Sequence, residues 1–205
     1  MNCDAIKKRA VELMADTIEL PYEPGYRLHH GERTATLCME IADAEGLTVD
    51  REALALGALM HDIGKSSSAL GESHGVRGAH MVKELFADLM TPDELAKVAE
   101  IVEHHYERPN SKWFASKAKP VWNTEILVVQ DADVLDHFGI PGIWLSMHWA
   151  VQKKFSPALA RQEWFEAPRM VTWRADARRS LNFESSRRSL ELRITEMNDF
   201  FRRLA

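Results

Sequence analysis

Ala53-Leu54-Ala55-Leu56-Gly57-Ala58-Leu59-Met60-His61-Asp62-Ile63-Gly64-Lys65 is the stretch on which the reading of this chain turns. An apolar run leads into an imidazole, a carboxylate and a glycine. Asp50 stands three residues before Ala53 and is the expected N-cap, without a full capping box. The helix it opens is predicted to reach His61. Neighbouring helical residues point about 100° apart, so His61 and Asp62 can share one ion only near the helix end or in the crevice beside it. Gly64 is the expected stop, because a left-handed C-terminal position carries no steric cost for glycine. Further histidines and aspartates recur at a distance: His30, His74, His104, His105 and Asp133.

Outward from this stretch the periodicity is helical. Ile6, Ala10, Leu13, Met14 and Ile18 share one face of a helix predicted over Asp4 to Leu20, and Pro21 and Pro24-Gly25 break the chain after it. A second helix is predicted from about Arg27 to Ala44, ended by Gly46. Residues 64–73, with three serines flanked by glycines, read as a loop. Another helix covers His74 to Met90. Thr91-Pro92-Asp93-Glu94 then combines a cap, a proline at the first position and acids in the first turn, opening a helix to about Glu107. Residues 108–120 read as an exposed loop. Helices follow over Asn123 to His137 and Ile143 to Phe155, with a turn at Gly139, Pro141 and Gly142. Arg174 to Leu204 reads as one or two amphipathic helices. With no strand-like alternation and no internal repeat, the predicted fold class is all-α: a single-domain helical bundle with a C-terminal helical extension over about 156–205.

Bulk composition bounds the function. A chain of 205 residues suits one domain and buries a core without staples. Two cysteines, Cys3 and Cys38, suggest neither a disulfide framework nor a Cys-based zinc site. No apolar segment is long enough for a membrane span and no signal-type apolar region precedes residue 25, so a cytoplasmic location is expected. The net charge of −5 is uneven: residues 161–205 hold 10 Arg and no Lys against 7 acids. Because those arginines alternate with Glu and Asp, they read as a solvated helical face, and nucleic acid is not an expected partner.

His30, His61-Asp62 and Asp133, in that order, resemble the H…HD…D signature of the HD-domain superfamily of metal-dependent phosphohydrolases. The contexts agree: His30-Gly-Glu-Arg33-Thr-Ala is similar to H-x-x-R-V-A, Leu59 to Lys65 to L-x-H-D-I-G-K, and Asp131-Ala132-Asp133-Val134-Leu135-Asp136 to D-A-D-x-L-D. The resemblance spans about residues 25 to 140. It implies an all-α fold and a divalent metal held by His30, His61, Asp62 and Asp133. His29 competes with His30, and Asp131 and Asp136 compete with Asp133. The spacing to Arg33 favours His30, and the resemblance assigns the ligand role to Asp133, leaving Asp136 to orient a ligand or cap a helix.

Imidazoles with carboxylates suit Mn, Fe, Co, Ni or Zn better than Mg. Such an ion acidifies water and stabilises charge on phosphorus. The expected activity is therefore hydrolysis of a small phosphorylated substrate, with a nucleotide as the leading class, and Asp62, Lys65 and Arg33 as candidate catalytic residues. Arg33, one helical turn from His30, is expected either to face the same cleft or to pair with a nearby acid. Lys65 stands at the mouth of the site as a point charge for phosphate or as a cation on the helix dipole. His74, within His-Gly-Val-Arg-Gly-Ala, and His104-His105 are expected to bind a second ion bridged by Asp62, to contact substrate phosphate or to orient the ligands of the first ion, with His80 competing with His74. Glu103 and Glu107 are weaker acid/base candidates. Trp113 and Phe114 are candidates for stacking on a base. Gly64-Lys65-Ser66 stands where the ppGpp-hydrolysing branch carries paired acids, and no G-Y-P element of the cyclic-di-GMP branch occurs near residue 120. Two rival functions stand beside hydrolysis: a di-iron oxygenase of HD type and a non-catalytic nucleotide-binding module.

Overall fold

The computed structural model describes residues 2–15, 25–66, 73–108, 110–111 and 122–205. Among these residues there are ten α-helices and no strand: α1 (Cys3–Met14), α2 (Tyr26–Ala44), α3 (Arg51–Met60), α4 (His74–Leu85), α5 (Pro92–His104), α6 (Thr124–Asp136), α7 (Ile140–Gln152), α8 (Pro157–Glu166), α9 (Pro168–Ser180) and α10 (Glu184–Arg203). A short 3-10 helix, Ile63–Ser66, follows α3. No helix among the described residues is long and apolar enough to cross a membrane.

Caps written in the sequence set most helix starts. Asp50 accepts the amide of Ala53 at 3.1 Å. Thr91 and Glu94 close a reciprocal capping box at α5, each side chain accepting the other's backbone N–H. Asn123 opens α6 by accepting from Ile126 at 2.9 Å. The helical extension expected from about residue 156 has its first helix at Pro157, where Ser156 caps α8 through the amide of Leu159 at 3.2 Å and proline occupies the first position.

Several boundaries differ from expectation. Pro141 and Gly142 lie inside α7 rather than in a turn, since Gly139 at φ +73° already makes the bend and proline is tolerated in a first helical turn. α4 ends at Leu85, not Met90, and α5 ends at His104, not Glu107. Gly64 is not a left-handed stop: its backbone belongs to the 3-10 helix, and the positive-φ glycines among the described residues are Gly25, Gly46 and Gly139. Its glycine is required by proximity instead, because a Cβ there would sit 2.0 Å from the His74 carbonyl and 2.5 Å from the Gly78 amide nitrogen. The end of the first predicted helix, Pro21, Pro24, and most of the 64–73 and 108–120 loops, including Trp113 and Phe114, lie outside the described residues.

α3 runs through the core between α2, α5 and α6, while α4 packs on α5 and on the 3-10 helix. Leu54, Leu56 and Met60 of α3 are buried with Ile101 of α5 and Ile126 of α6, each side chain contributing about 1.5–3 kcal/mol on burial. α10 crosses α6 and α7 and reaches α2, burying Leu190, Ile194, Met197 and Phe201. Asp131 ties this extension to the core. Fully buried, it accepts from the backbone amides of Asn182 at 2.8 Å and Phe183 at 3.0 Å. Burial pushes its carboxyl up to about 6 against these hydrogen bonds. Several arginines of the extension pair with nearby acids, as Arg178 does with Glu191 and Arg202 with Asp199, whereas Arg174 and Arg193 donate to backbone carbonyls.

Candidate metal centre

Helix ends deliver most of the site. His61 and His105 are the C-caps of α3 and α5, His137 is the C-cap of α6, and His74 is the first residue of α4. His30 comes from the middle of α2, which lies against α3 at Gly31; a Cβ there would be 2.2 Å from the Leu59 carbonyl oxygen. That close approach sets His30 Nε2 3.1 Å from His61 Nε2.

Hydrogen bonds fix how the rings present themselves. His61 Nδ1–H donates to the Ala58 carbonyl and His105 Nδ1–H to the Val102 carbonyl, each at 2.7 Å. A carbonyl only accepts, so in the neutral rings the Nε2 atoms carry lone pairs. His30 Nδ1 is held by Asp136 Oδ2 at 2.7 Å, and Arg33 holds both oxygens of Asp136 at 2.8 and 2.9 Å. Burial pushes His61 and His74 down to about 3, with neighbouring imidazoles adding to the effect. Burial also opposes a charge on His30, but hydrogen bonds to Asp133 and Asp136 outweigh it and raise that ring to about 9.

Asp62 links two groups of rings. Its Oδ1 lies 3.8 Å from His61 Nε2, 3.7 Å from His74 Nε2 and 3.6 Å from His105 Nε2. The same oxygen is buried with no hydrogen-bond partner, a costly state for an anion unless a cation joins it. Burial would raise the Asp62 carboxyl, but Lys65 and the surrounding rings hold it well below the usual carboxylate range. His74 and His105 bring their Nε2 atoms within 3.0 Å of each other. Among the described residues, His30-His61-Asp62, Asp62-His74-His105 and His30-Asp133-His137 each present ligand-capable atoms within 4.8 Å of one another. Facing imidazole nitrogens around an orphaned carboxylate oxygen fit a divalent cation on two sides of Asp62.

The structure thus brings His30, His61, Asp62 and Asp133 together. Asp133 Oδ1 lies 3.2 Å from His30 Nε2 and 3.8 Å from His61 Nε2. His74 and His105 join through Asp62, but His104 does not: one residue along at the helix end, it points elsewhere and stacks on Trp122 at 4.2 Å, with Glu103 and Glu107 beside it. His29 and His80 are exposed. Lys65 Nζ reaches Asp62 Oδ2 at 2.6 Å. Arg33 takes the second of its two expected places, pairing with an acid: its guanidinium holds both oxygens of Asp136, which in turn holds His30. Asp136→Ala would free the His30 ring, and metal affinity is expected to fall about 10–100-fold, as for other carboxylates behind a histidine ligand. A competitive titration with a metallochromic chelator checks this, and an unchanged affinity would show that His30 needs no such support.

Three charged or titratable residues escaped the sequence reading. His137, one helical turn after Asp133, donates from Nδ1 to the Asp133 carbonyl at 2.8 Å, and the i, i+4 spacing was its only signal. Arg108, buried, approaches Asp133 Oδ2 at 3.4 Å. Arg27, also buried, donates to the Asp62 carbonyl at 3.3 Å. Neither arginine has a sequence context that marks it. A cavity of about 520 Å³ opens beside the cluster; Lys65, His74, His105, Arg108, Asp133 and His137 form part of its wall, and residues of α7–α10 form most of the rest.

A family model of the HD domain matches residues 27–137, more than half of the chain. The chain belongs to the HD-domain family. His61-Asp62 lies within the matched residues, and HD domains bind divalent metals, which the His/Asp clusters suit. The fold is that of HD-superfamily hydrolases. Bacillus subtilis YpgQ, in a crystal structure with ADP, superposes with a TM-score of 0.64 at 20% identity, covering 99% of this chain and 93% of that one. An HD-superfamily hydrolase from Bacillus thuringiensis gives a TM-score of 0.65 at 17% identity, covering 98% and 93%. A predicted HD-superfamily hydrolase from an uncultured Thermotogales bacterium gives 0.61 at 19% identity, covering 98% and 89%. The overlap with these structures extends through the C-terminal helices as well as the family core. No curated protein matches the sequence.

Proposed function

We propose that this HD-domain protein is a metal-dependent phosphohydrolase of small phosphorylated molecules, with nucleotides as its substrate class. The observation that carries the proposal is Asp62 Oδ1, buried, anionic and without a hydrogen-bond partner, facing imidazole nitrogens on two sides. His30, His61, Asp62 and Asp133 would hold one ion, and His74 and His105 a second that shares Asp62. Bound there, a divalent transition metal supplies Lewis-acid charge that acidifies water and screens the phosphate.

The chain's own residues do the rest. Lys65 and Arg108 line the cavity beside the cluster and bind phosphate oxygens, the first as a point charge and the second as a planar fork. They hold phosphorus for in-line attack by water. The new P–O bond forms as the bond to the leaving oxygen breaks, and the water's proton passes to that oxygen or to solvent. Asp136 and the Ala58 and Val102 carbonyls keep the rings from turning, so little reorganisation is needed during reaction. The nucleotide part of the proposal draws support from YpgQ, whose structure holds ADP.

The test is metal analysis of the purified protein joined to a phosphate-release screen over nucleotides and sugar phosphates with Mn, Co, Ni and Mg. Bound transition metal and metal-dependent release are expected. His74→Ala should lower the bound metal by one equivalent per chain while leaving the His30-His61 group loaded; unchanged stoichiometry would remove the second ion from the proposal. Iron loading that yields a substrate-dependent EPR signal, with no phosphate released, would replace hydrolysis by oxygenation. Nucleotide binding without metal or turnover would make the protein a binding module.

A further inference from the structure

The cavity is larger than a phosphate group needs, and its composition changes away from the cluster. At about 520 Å³ it falls in the range of sites for whole small molecules. Three of the chain's six tryptophans, Trp149, Trp164 and Trp173, line it, together with Phe155 and Phe201. All five belong to the segment after Gly139, which the HD family match does not cover. Trp164 and Phe201 are buried and stack on each other at 5.1 Å, so they serve as floor. Trp149, Phe155 and Trp173 are only partly buried.

Trp173 is the best placed of these. One face stacks on Phe138, with centroids 4.3 Å apart and planes 15° apart. The ring is therefore held rigid, while its remaining accessible surface belongs to a cavity-lining residue. Its ring also meets His137 edge-on at 6.4 Å, and His137 is bonded to Asp133. Trp173 thus stands one ring beyond the cluster, close enough for one small molecule to touch both. The charged side chains that line the aromatic part are paired: Arg169, lying over Trp149, with Glu163, and Asp176 with the Ser111 hydroxyl and the Arg179 guanidinium, while Lys153 and Arg174 lie over Trp149 and Trp164 from outside the lining. Such a surface suits a flat, uncharged group better than a second phosphate.

We infer that the helices after Gly139 form the specificity pocket of this enzyme, in which Trp173 stacks on the nucleobase of a nucleotide whose phosphates lie at the histidine-aspartate cluster. The inference rests on the phosphohydrolase reading and adds to it the residue that selects the organic half of the substrate. It also gives the extension a role beyond packing. Trp173 is a binding residue; it takes no part in bond making or breaking.

The test uses two non-hydrolysable probes, adenosine α,β-methylene diphosphate and methylenebisphosphonate, titrated into the full-length Mn-loaded protein by calorimetry and by tryptophan fluorescence. The nucleoside probe is expected to bind at least about tenfold tighter, the size of effect one base–aromatic stack produces, and to quench indole emission. Trp173→Leu should erase most of that advantage and the quenching, yet leave methylenebisphosphonate affinity unchanged; Trp173→Phe should keep part of the advantage. Equal affinity of the two probes for the wild-type protein overturns the inference, as does a loss of both affinities together in a folded Trp173→Leu protein. If Trp173→Leu does not fold, Phe155→Leu reads the same pocket from another wall, and an undiminished nucleoside advantage there counts against it. Failure of both probes to bind the metal-loaded wild type would instead count against the phosphohydrolase reading itself.

Discussion

Asp62→Ala is expected to yield a folded protein that retains little divalent metal and has lost turnover by about a thousandfold or more. Lewis-acid stabilisation of a phosphoryl transition state is worth several kcal/mol, and each 1.36 kcal/mol is a factor of ten in rate. One oxygen accounts for the size of the effect, because Oδ1 faces His61 on one side and His74 and His105 on the other. No other carboxylate among the described residues belongs to both of those groups. The fold should survive the change. Lys65 has 40% of its side chain exposed and can turn to solvent, and Arg27, which loses the Asp62 carboxylate 3.8 Å away, keeps its bond to the residue-62 carbonyl. Metal content by mass spectrometry, circular dichroism and phosphate release are the three measurements. Full activity in a metal-poor Asp62→Ala protein would end the proposed mechanism.

Gly64→Ala is expected to destabilise the protein by about 3 kcal/mol, the upper part of the range for forcing a methyl group into a filled space. The new Cβ would meet the His74 carbonyl at 2.0 Å and the Gly78 amide nitrogen at 2.5 Å. Both are backbone atoms of α4 and cannot rotate aside. Relief requires α4 to move off the 3-10 helix, carrying His74 away from Asp62 and displacing Lys65. Metal stoichiometry should therefore drop along with the denaturation midpoint. Gly46→Ala is the control: its φ is +62°, but nothing lies within 4 Å of its would-be Cβ, so only the left-handed strain of about 1–2 kcal/mol applies and the metal should stay. Equal losses in the two variants would mean that crowding at residue 64 is relieved more cheaply than the backbone contacts imply.

The candidate site was legible in the sequence wherever a residue type and a motif coincide. His30, His61, Asp62 and Asp133 lie in three contexts that resemble the family pattern, and they meet in the structure. The histidines after the motif were harder. His104 and His105 are adjacent and chemically identical, and the choice between them depends on the end of α5, where His105 turns inward to donate to the Val102 carbonyl while His104 lies on Trp122. A one-residue change of phase on a helix rotates a side chain by about 100°, which periodicity cannot resolve at a helix end. For Arg33 the spacing from His30 leaves a cleft position and an ion pair equally open, and the approach of Asp136 across the fold decides for the ion pair. Arg108 and Arg27 had no local signature, since what matters is the carboxylate or carbonyl each meets across the fold.

Helix content, the caps at Asp50 and Thr91 and the identity of the HD pair follow from local chemistry: apolar periodicity, a side-chain oxygen ahead of a helix, a motif. Contact between segments distant along the chain is a different kind of information. That α2 and α3 touch at Gly31, that Gly64 serves proximity rather than a left-handed turn, that Asp62 faces two groups of imidazoles, and that Trp149, Trp164 and Trp173 wall the same cavity are outcomes of packing. They are decided by which backbones can approach and which buried charges find partners, and only the assembled molecule settles those questions.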